Sequence, residues 1–236
     1  FTEDFVADLL NGNVDLVVHS WKDLPTEPRI RTEIVGTLHR EDVRDLFLFR
    51  RDRMSQVQST KTLRVLTSSP RRSYNLRNFF IECFPGALAK VEFESVRGNI
   101  PTRMEKLLNQ DVDGLIVAKA ALDRLLSSTT DEEREVRNRM REVLNQCHFM
   151  VLPLSVNPAA AAQGALAIEI RSDREDVREI LSSIIQVDVM RQVDAERSIL
   201  RGYGGGCHQK IGVTRLSRSY GELLFLKGLT DSGEVL

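Results

Sequence analysis

One thiol, one aspartate and a recurring set of arginines carry the chemical interest of this chain. The stretch Arg201-Gly202-Tyr203-Gly204-Gly205-Gly206-Cys207-His208 presents a lone cysteine on three consecutive glycines. A backbone without Cβ atoms lets a bulky group approach closely, and the sulfur can form a bond to it. The plainer reading is a glycine loop with an incidental buried cysteine. A second stretch, His19-Ser20-Trp21-Lys22-Asp23-Leu24-Pro25, follows the apolar run at residues 14–19. Ligands of open α/β sheets bind beyond the carboxyl ends of strands, where this run puts Lys22 and Asp23. Otherwise Asp23 is a turn former ahead of Pro25 and Lys22 a solvated charge. His19 reads as a hydrogen-bonded core residue rather than a catalyst.

The cations are unusual in kind: 26 Arg against 7 Lys. A guanidinium fork grips carboxylate or phosphate in a bidentate way that an ammonium cannot. A bias of composition explains the count equally well, so position decides. In Thr67-Ser68-Ser69-Pro70-Arg71-Arg72, Ser69 suits an N-cap and Pro70 the first helical position, which puts both arginines in the first turn. The helix dipole disfavours cations there, unless a bound anion gains the free N–H groups and both forks. The competing reading turns both side chains to solvent. Arg97, Arg103 and Arg124 recur at two further strand-to-helix junctions, and in a twisted parallel sheet such junctions converge on one edge. The Gly-rich phosphate loop with Lys-Ser/Thr is missing.

To position these groups the chain needs alternating strands and helices. Apolar patterning predicts strands at residues 14–19, 33–38, 45–49, 63–67, 91–96, 113–118, 149–154, 165–170, 210–214 and 223–229. Helices are predicted at the N-terminus, after Ser69, around Met104 and Leu107, at 119–126, 174–184 and 188–200. Residues 50–61 read as a polar surface loop. Residues 127–145 read as a peripheral charged helix capped by Thr130 and Glu133. Residues 39–44 look like a crossing between lobes, and the alanine run before Gln163 like the return.

The 236 residues, 42% hydrophobic and 28% charged, suit a soluble globular protein of one to three domains. Apolar runs are too short for a membrane span. A net charge of −1 favours neither nucleic acid nor a membrane surface. Cys83, Cys147 and Cys207 are too widely spaced for a metal motif or a disulfide framework, which fits a reducing cytoplasm. No signal peptide is visible, and the opening Phe1-Thr2 predicts that an earlier segment is missing.

Taken together, the segments 19–25, 67–72, Val96-Arg97-Gly98-Asn99-Ile100-Pro101-Thr102-Arg103, 118–124, Gln163-Gly164-Ala165-Leu166-Ala167-Ile168-Glu169 and Ala195-Glu196-Arg197 leading to Gly205-Gly206-Cys207 resemble the porphobilinogen deaminase (hydroxymethylbilane synthase) family, in its order and over nearly the whole chain. The resemblance implies an α/β protein of two periplasmic-binding-protein-like lobes with mixed, mainly parallel sheets, plus a small third α/β domain carrying the cysteine. The expected limits are 1–43 and 149–186 for domain 1, 44–148 for domain 2 and 187–236 for domain 3. It implies a transferase that adds four porphobilinogen units head to tail, with loss of ammonia, to a dipyrromethane cofactor held by a thioether at Cys207. It assigns Asp23 the catalytic role, stabilising the electron-poor cation left by ammonia in a site with little water. Cys207, Arg71, Arg72, Asp23 and Lys22 would bind the cofactor; Arg97, Arg103, Arg124, Lys22, Ser20, Ser68, Ser69 and Gln163 would bind substrate. No metal, nucleic acid or membrane is implied, and the expected form is a cytoplasmic monomer. The sequence departs from the family's pattern in lacking its early segment and in Trp21, Pro70, Ala161-Ala162 and Gly204. A non-catalytic binding protein for an acidic ligand, or an inactive fragment, is the alternative.

Overall fold

In the computed structural model residues 2–205 and 209–236 are described; Phe1 and residues 206–208, Cys207 among them, lie outside the described residues. Helix α1 (Thr2–Leu10) buries Val6 and Leu9 and leads to β1 (Val17–Ser20), a 3-10 turn Trp21–Asp23 and β2 (Thr32–Gly36). Residues 37–44 carry the chain to β3 (Asp45–Arg50). The segment expected to be a loop is instead a 3-10 turn Arg51–Arg53 running into α2 (Met54–Thr60). Val57, 1% exposed, and the partly buried Met54 dock this otherwise polar helix on the core.

Next come β4 (Thr62–Leu66), α3 (Pro70–Cys83), β5 (Lys90–Glu94), α4 (Ile100–Asn109), β6 (Gly114–Ala118) and α5 (Lys119–Ser127). Ser69 caps α3, accepting the Arg72 N–H, and Asn99 caps α4, accepting that of Thr102; each helix has proline in its first turn. Helix α6 (Arg134–Asn145) is not peripheral: Met140 and Val143 are buried in the core. Its cap residue is Glu133, and Thr130 merely hydrogen-bonds that side chain, so the expected capping box does not form. Strands β7 (Cys147–Val151) and β8 (Leu166–Arg171), helices α7 (Glu175–Ser182) and α8 (Val187–Gly202), and the hairpin β9 (Gly212–Arg218) with β10 (Gly221–Lys227) complete the chain.

The strands form a three-stranded sheet β1-β8-β2, a five-stranded sheet β5-β4-β6-β3-β7 and the β9–β10 hairpin. The architecture is mixed α/β, but the expected predominance of parallel pairing is corrected: among the described residues only β4–β5 and β4–β6 are parallel. The first sheet and the hairpin are wholly antiparallel. The apolar run before Asp23 suggested a strand buried on both faces; β1 instead alternates, with Val17 buried and Val18 50% exposed. In β3 the alternation decides the core of the larger sheet. Leu46 and Leu48 pack with Met104, Leu107, Met140 and Val143 on one face, Phe47 and Phe49 with Val57, Leu76 and Phe80 on the other. His19 is the core residue expected, 2.7 Å from the Glu169 carboxylate, which also accepts from Thr32 and Arg29.

Candidate active site

The centre of the site is a carboxylate at the first residue of β3. Asp45 is fully buried, and its two oxygens accept from four side chains. Oδ2 receives Arg71 Nη2 at 2.8 Å, Arg72 Nε at 3.0 Å and Asn157 Nδ2 at 2.8 Å. Oδ1 receives Arg72 Nη2 at 2.6 Å and Gln163 Nε2 at 2.8 Å. Burial alone would raise the Asp45 pKa, but the charges of Arg72 and Arg71 and these hydrogen bonds hold it far below the usual carboxylate range. Both guanidinium groups are therefore buried, not turned to solvent. Nor are they wholly given to a helix-end anion: Arg71 also donates to Asn157 Oδ1 and Pro158 O, and Arg72 to Ile116 O. The start of α3 aims two arginines at one strand end, and Asp45 sets their geometry.

Around this hub the cations outnumber their local anions. Lys22 Nζ lies 3.4 Å from Gln163 Oε1; burial and then the Arg72 charge lower its pKa to about 8, against the opposing pull of Asp23 and Asp45. Burial and Arg72 likewise lower the pKa of Arg103, while Asp23 acts the other way. Lys22 thus lies within electrostatic reach of Asp23, Arg71 and Arg72, and Arg103 of Asp23 and Arg72, with Gln163 bridging Asp45 and Lys22. Asp23 itself is exposed at the end of its 3-10 turn, so the expected low-water setting is not built by the described residues.

The remaining predicted residues are placed less uniformly. Arg124 donates to Gly164 O at 2.6 Å, and burial lowers its pKa. Gly164 has φ +85°, and a Cβ there would come 2.6 Å from Glu41 O, so only glycine lets the Gln163 loop press against the 37–44 connection. Ser68 accepts the Val96 N–H and Ser69 serves as the α3 cap, so both hydroxyls do structural work. Arg97 and Ser20 are exposed; Arg103 Nε is tied to Gly98 O at 2.7 Å. Cys207 lies outside the described residues, but Gly205 before it (φ +57°) abuts Thr26, whose Oγ1 would stand 2.5 Å from a Cβ. Sequence reasoning missed Asp45, Asn157 and Arg40. Arg40 forms a buried bidentate pair with Glu196 at 2.9 and 2.8 Å, and Glu196 also accepts from the N–H groups of Ala162 and Arg215.

Fold and site together define a mixed α/β protein with a cation cluster beside an exposed aspartate. A family model described as porphobilinogen deaminase, dipyromethane cofactor binding domain, matches residues 1–179. Porphobilinogen deaminase of Clostridium novyi is 30% identical over 100% of this chain and 72% of its own length. Those of Syntrophomonas wolfei and Desulfitobacterium hafniense are each 33% identical over 98% of the chain, covering 67% and 66% of their own lengths. Among solved structures, the probable amino-acid ABC transporter extracellular-binding protein of Bacillus subtilis overlays with a TM-score of 0.37 at 11% identity, over 84% of this chain and 75% of that one. The chain belongs to the porphobilinogen deaminase family. Membership assigns it hydroxymethylbilane synthesis from porphobilinogen, in tetrapyrrole biosynthesis, with a dipyrromethane cofactor.

Proposed function

We propose that Asp23 is the catalytic carboxylate and that Lys22, Arg71, Arg72, Arg97, Arg103 and Arg124 hold the acidic side chains of cofactor and growing chain. The observation that carries this reading is the gathering of cations round Asp45: Arg71 and Arg72 are bound to it, Lys22 is joined to it through Gln163, and Arg124 is bound to Gly164 beside that glutamine. Each pyrrole unit brings carboxylates, and a carboxylate beside these groups gains charge-assisted hydrogen bonds. The donor set therefore fits dipyrromethane, and Cys207 is its anchoring sulfur. When bound, this group supplies the primer to which pyrrole units are joined.

The chain's own residues do the rest. Asp45 orients Arg71 and Arg72; Gln163 orients Lys22. Asp23 sits where its negative charge stabilises the cation left when ammonia departs from the substrate, and it accepts hydrogen bonds from pyrrole N–H groups. Ser20, Ser68, Ser69 and Gln163 complete the substrate contacts, the two serines of the α3 start by backbone geometry as much as by hydroxyl. The same reading makes the protein a cytoplasmic monomer that acts on porphobilinogen and binds neither nucleic acid nor membrane.

Three domains follow the three sheets: 1–43 with 149–186, 44–148, and 187–236. Strand β7 carries the second unit on to Val151, past the expected limit at 148. Replacing Asp23 by Asn tests the assignment. Hydroxymethylbilane formation should fall by about 10²–10³-fold with the far-UV circular dichroism unchanged. A wild-type rate in that variant contradicts the role.

A further inference from the structure

The Ala195-Glu196-Arg197 motif carries chemistry that the cation cluster does not use. Arg197 and Arg201 lie one turn apart on α8, the helix that leads into the cysteine turn, and both reach across to the segment around Asp23. Arg197 Nη1 donates to Trp21 O and Leu24 O, each at 3.3 Å, and its Nη2 donates to Pro25 O. Arg201 Nη2 donates to Thr26 O at 2.6 Å, and its Nε stands 3.7 Å from the Glu27 carboxylate. Four carbonyls bracketing Asp23 on its carboxyl side and at Trp21 are thus taken by two guanidinium groups. The segment has one backbone bond of its own at this point, Leu24 N–H to Trp21 O. Behind it lies a cavity of about 270 Å³ lined by Trp21, Leu24, Arg29, Glu169, Arg197 and Arg201. Trp21 and Leu24 are buried against Ala162, Ala165 and Val193, while Pro25 and Thr26 beyond them have no such packing and are held by the arginine forks.

We propose that Arg197 and Arg201 are positioning residues for the reaction: from helix α8 they hold the Asp23 segment by its backbone, so that the aspartate keeps its place beside the substrate. This rests on the catalytic reading of Asp23. Lysine cannot replace either fork, since an ammonium does not span several carbonyls in one plane. Loss of the clamp leaves Arg71, Arg72, Arg97, Arg103 and Arg124 in place and disturbs only Lys22 among the carboxylate-binding cations, so it lowers kcat far more than it raises KM. A misplacement of about an ångström at a reacting group costs on the order of a hundredfold.

Arg197→Gln, Arg197→Lys and Arg201→Gln test the proposal, the last at a half-exposed side chain. In each, kcat should fall about ten- to a hundredfold with KM within about twofold. Amide hydrogen exchange should accelerate in residues 22–27 and stay unchanged in β3–β6. In an Asp23→Asn background the further loss should shrink to less than about threefold, because the clamp acts through that side chain. Unchanged kcat, unchanged exchange in residues 22–27, or an equal loss in both backgrounds overturns the proposal. Full activity of Asp23→Asn by itself overturns instead the catalytic assignment, and the exchange data then still report whether the clamp holds the segment.

Discussion

Replacing Asp45 by Asn should damage the protein more than any other single change of one atom type in the site. The carboxylate is 0% exposed and the guanidinium-bearing residues facing it, Arg71 and Arg72, are 4% and 6% exposed. An asparagine keeps the volume and removes the charge. Its amide NH₂ must then face either Arg72 and Gln163 or Arg71, Arg72 and Asn157, all of which donate. Removing one partner of a buried pair costs about 3–5 kcal/mol, and two stranded guanidinium groups place this case at the upper end. At about 2–4 °C per kcal/mol for a chain of this size, the thermal midpoint drops by about 10–20 °C. Urea unfolding monitored by circular dichroism gives the free energy directly. The pH dependence supplies a second reading. Because the folded pKa of Asp45 lies below its unfolded value near 3.9, its contribution is complete above about pH 4–5 and is lost as pH falls further. The variant's stability should therefore fall less steeply on the acid side than that of the wild type. A cost under about 1 kcal/mol, with an unaltered acid limb, refutes the claim that Asp45 organises the arginines.

Other perturbations follow from the same geometry. Lys22 has a folded pKa of about 8 against an unfolded value near 10.4, so its effect on stability is unfavourable below that window and is relieved as pH rises from about 8 to 10. As Lys22 loses its charge in the same range, KM for porphobilinogen should rise above about pH 8, and Lys22→Arg should abolish that rise; a flat KM profile in the wild type speaks against a carboxylate-binding role. Glu196→Gln strands the buried Arg40 and weakens its bonds to the Ala162 and Arg215 N–H groups, with an expected loss of about 3–5 kcal/mol in urea unfolding. A loss under about 1 kcal/mol shows that the pair is dispensable.

Local chemistry was legible in the sequence, and long-range pairing was not. Ser69 with Pro70 announced the start of α3 because capping involves residues three apart. His19 could be read as a core residue, since a histidine inside an apolar run needs a buried partner. The sequence gives no separation between Asp45 and Arg71, so the choice between a helix-end anion and solvent missed a third partner on another strand. The signal was present in two halves: two cations where the helix dipole disfavours them, and an acid opening the apolar run Leu46-Phe47-Leu48-Phe49. Strand direction was misjudged for a similar reason, because a continuous apolar run records burial and not the neighbour's orientation; β1 pairs antiparallel with β8 and leaves Val18 exposed. For α2 and α6 the polar majority masked the apolar minority, Met54 with Val57 in one and Met140 with Val143 in the other, by which each helix docks.

The central claim is that one sulfur, at Cys207, anchors an acidic pyrrole primer whose charges the clustered cations and Asp23 hold in check. Intact mass spectrometry of the protein purified from cells that make porphobilinogen tests it most directly. The account predicts a mass above that of the polypeptide by one covalently bound dipyrromethane, with the increment absent in Cys207→Ser. A protein that weighs no more than its chain, and stays unmodified after incubation with porphobilinogen, contradicts it.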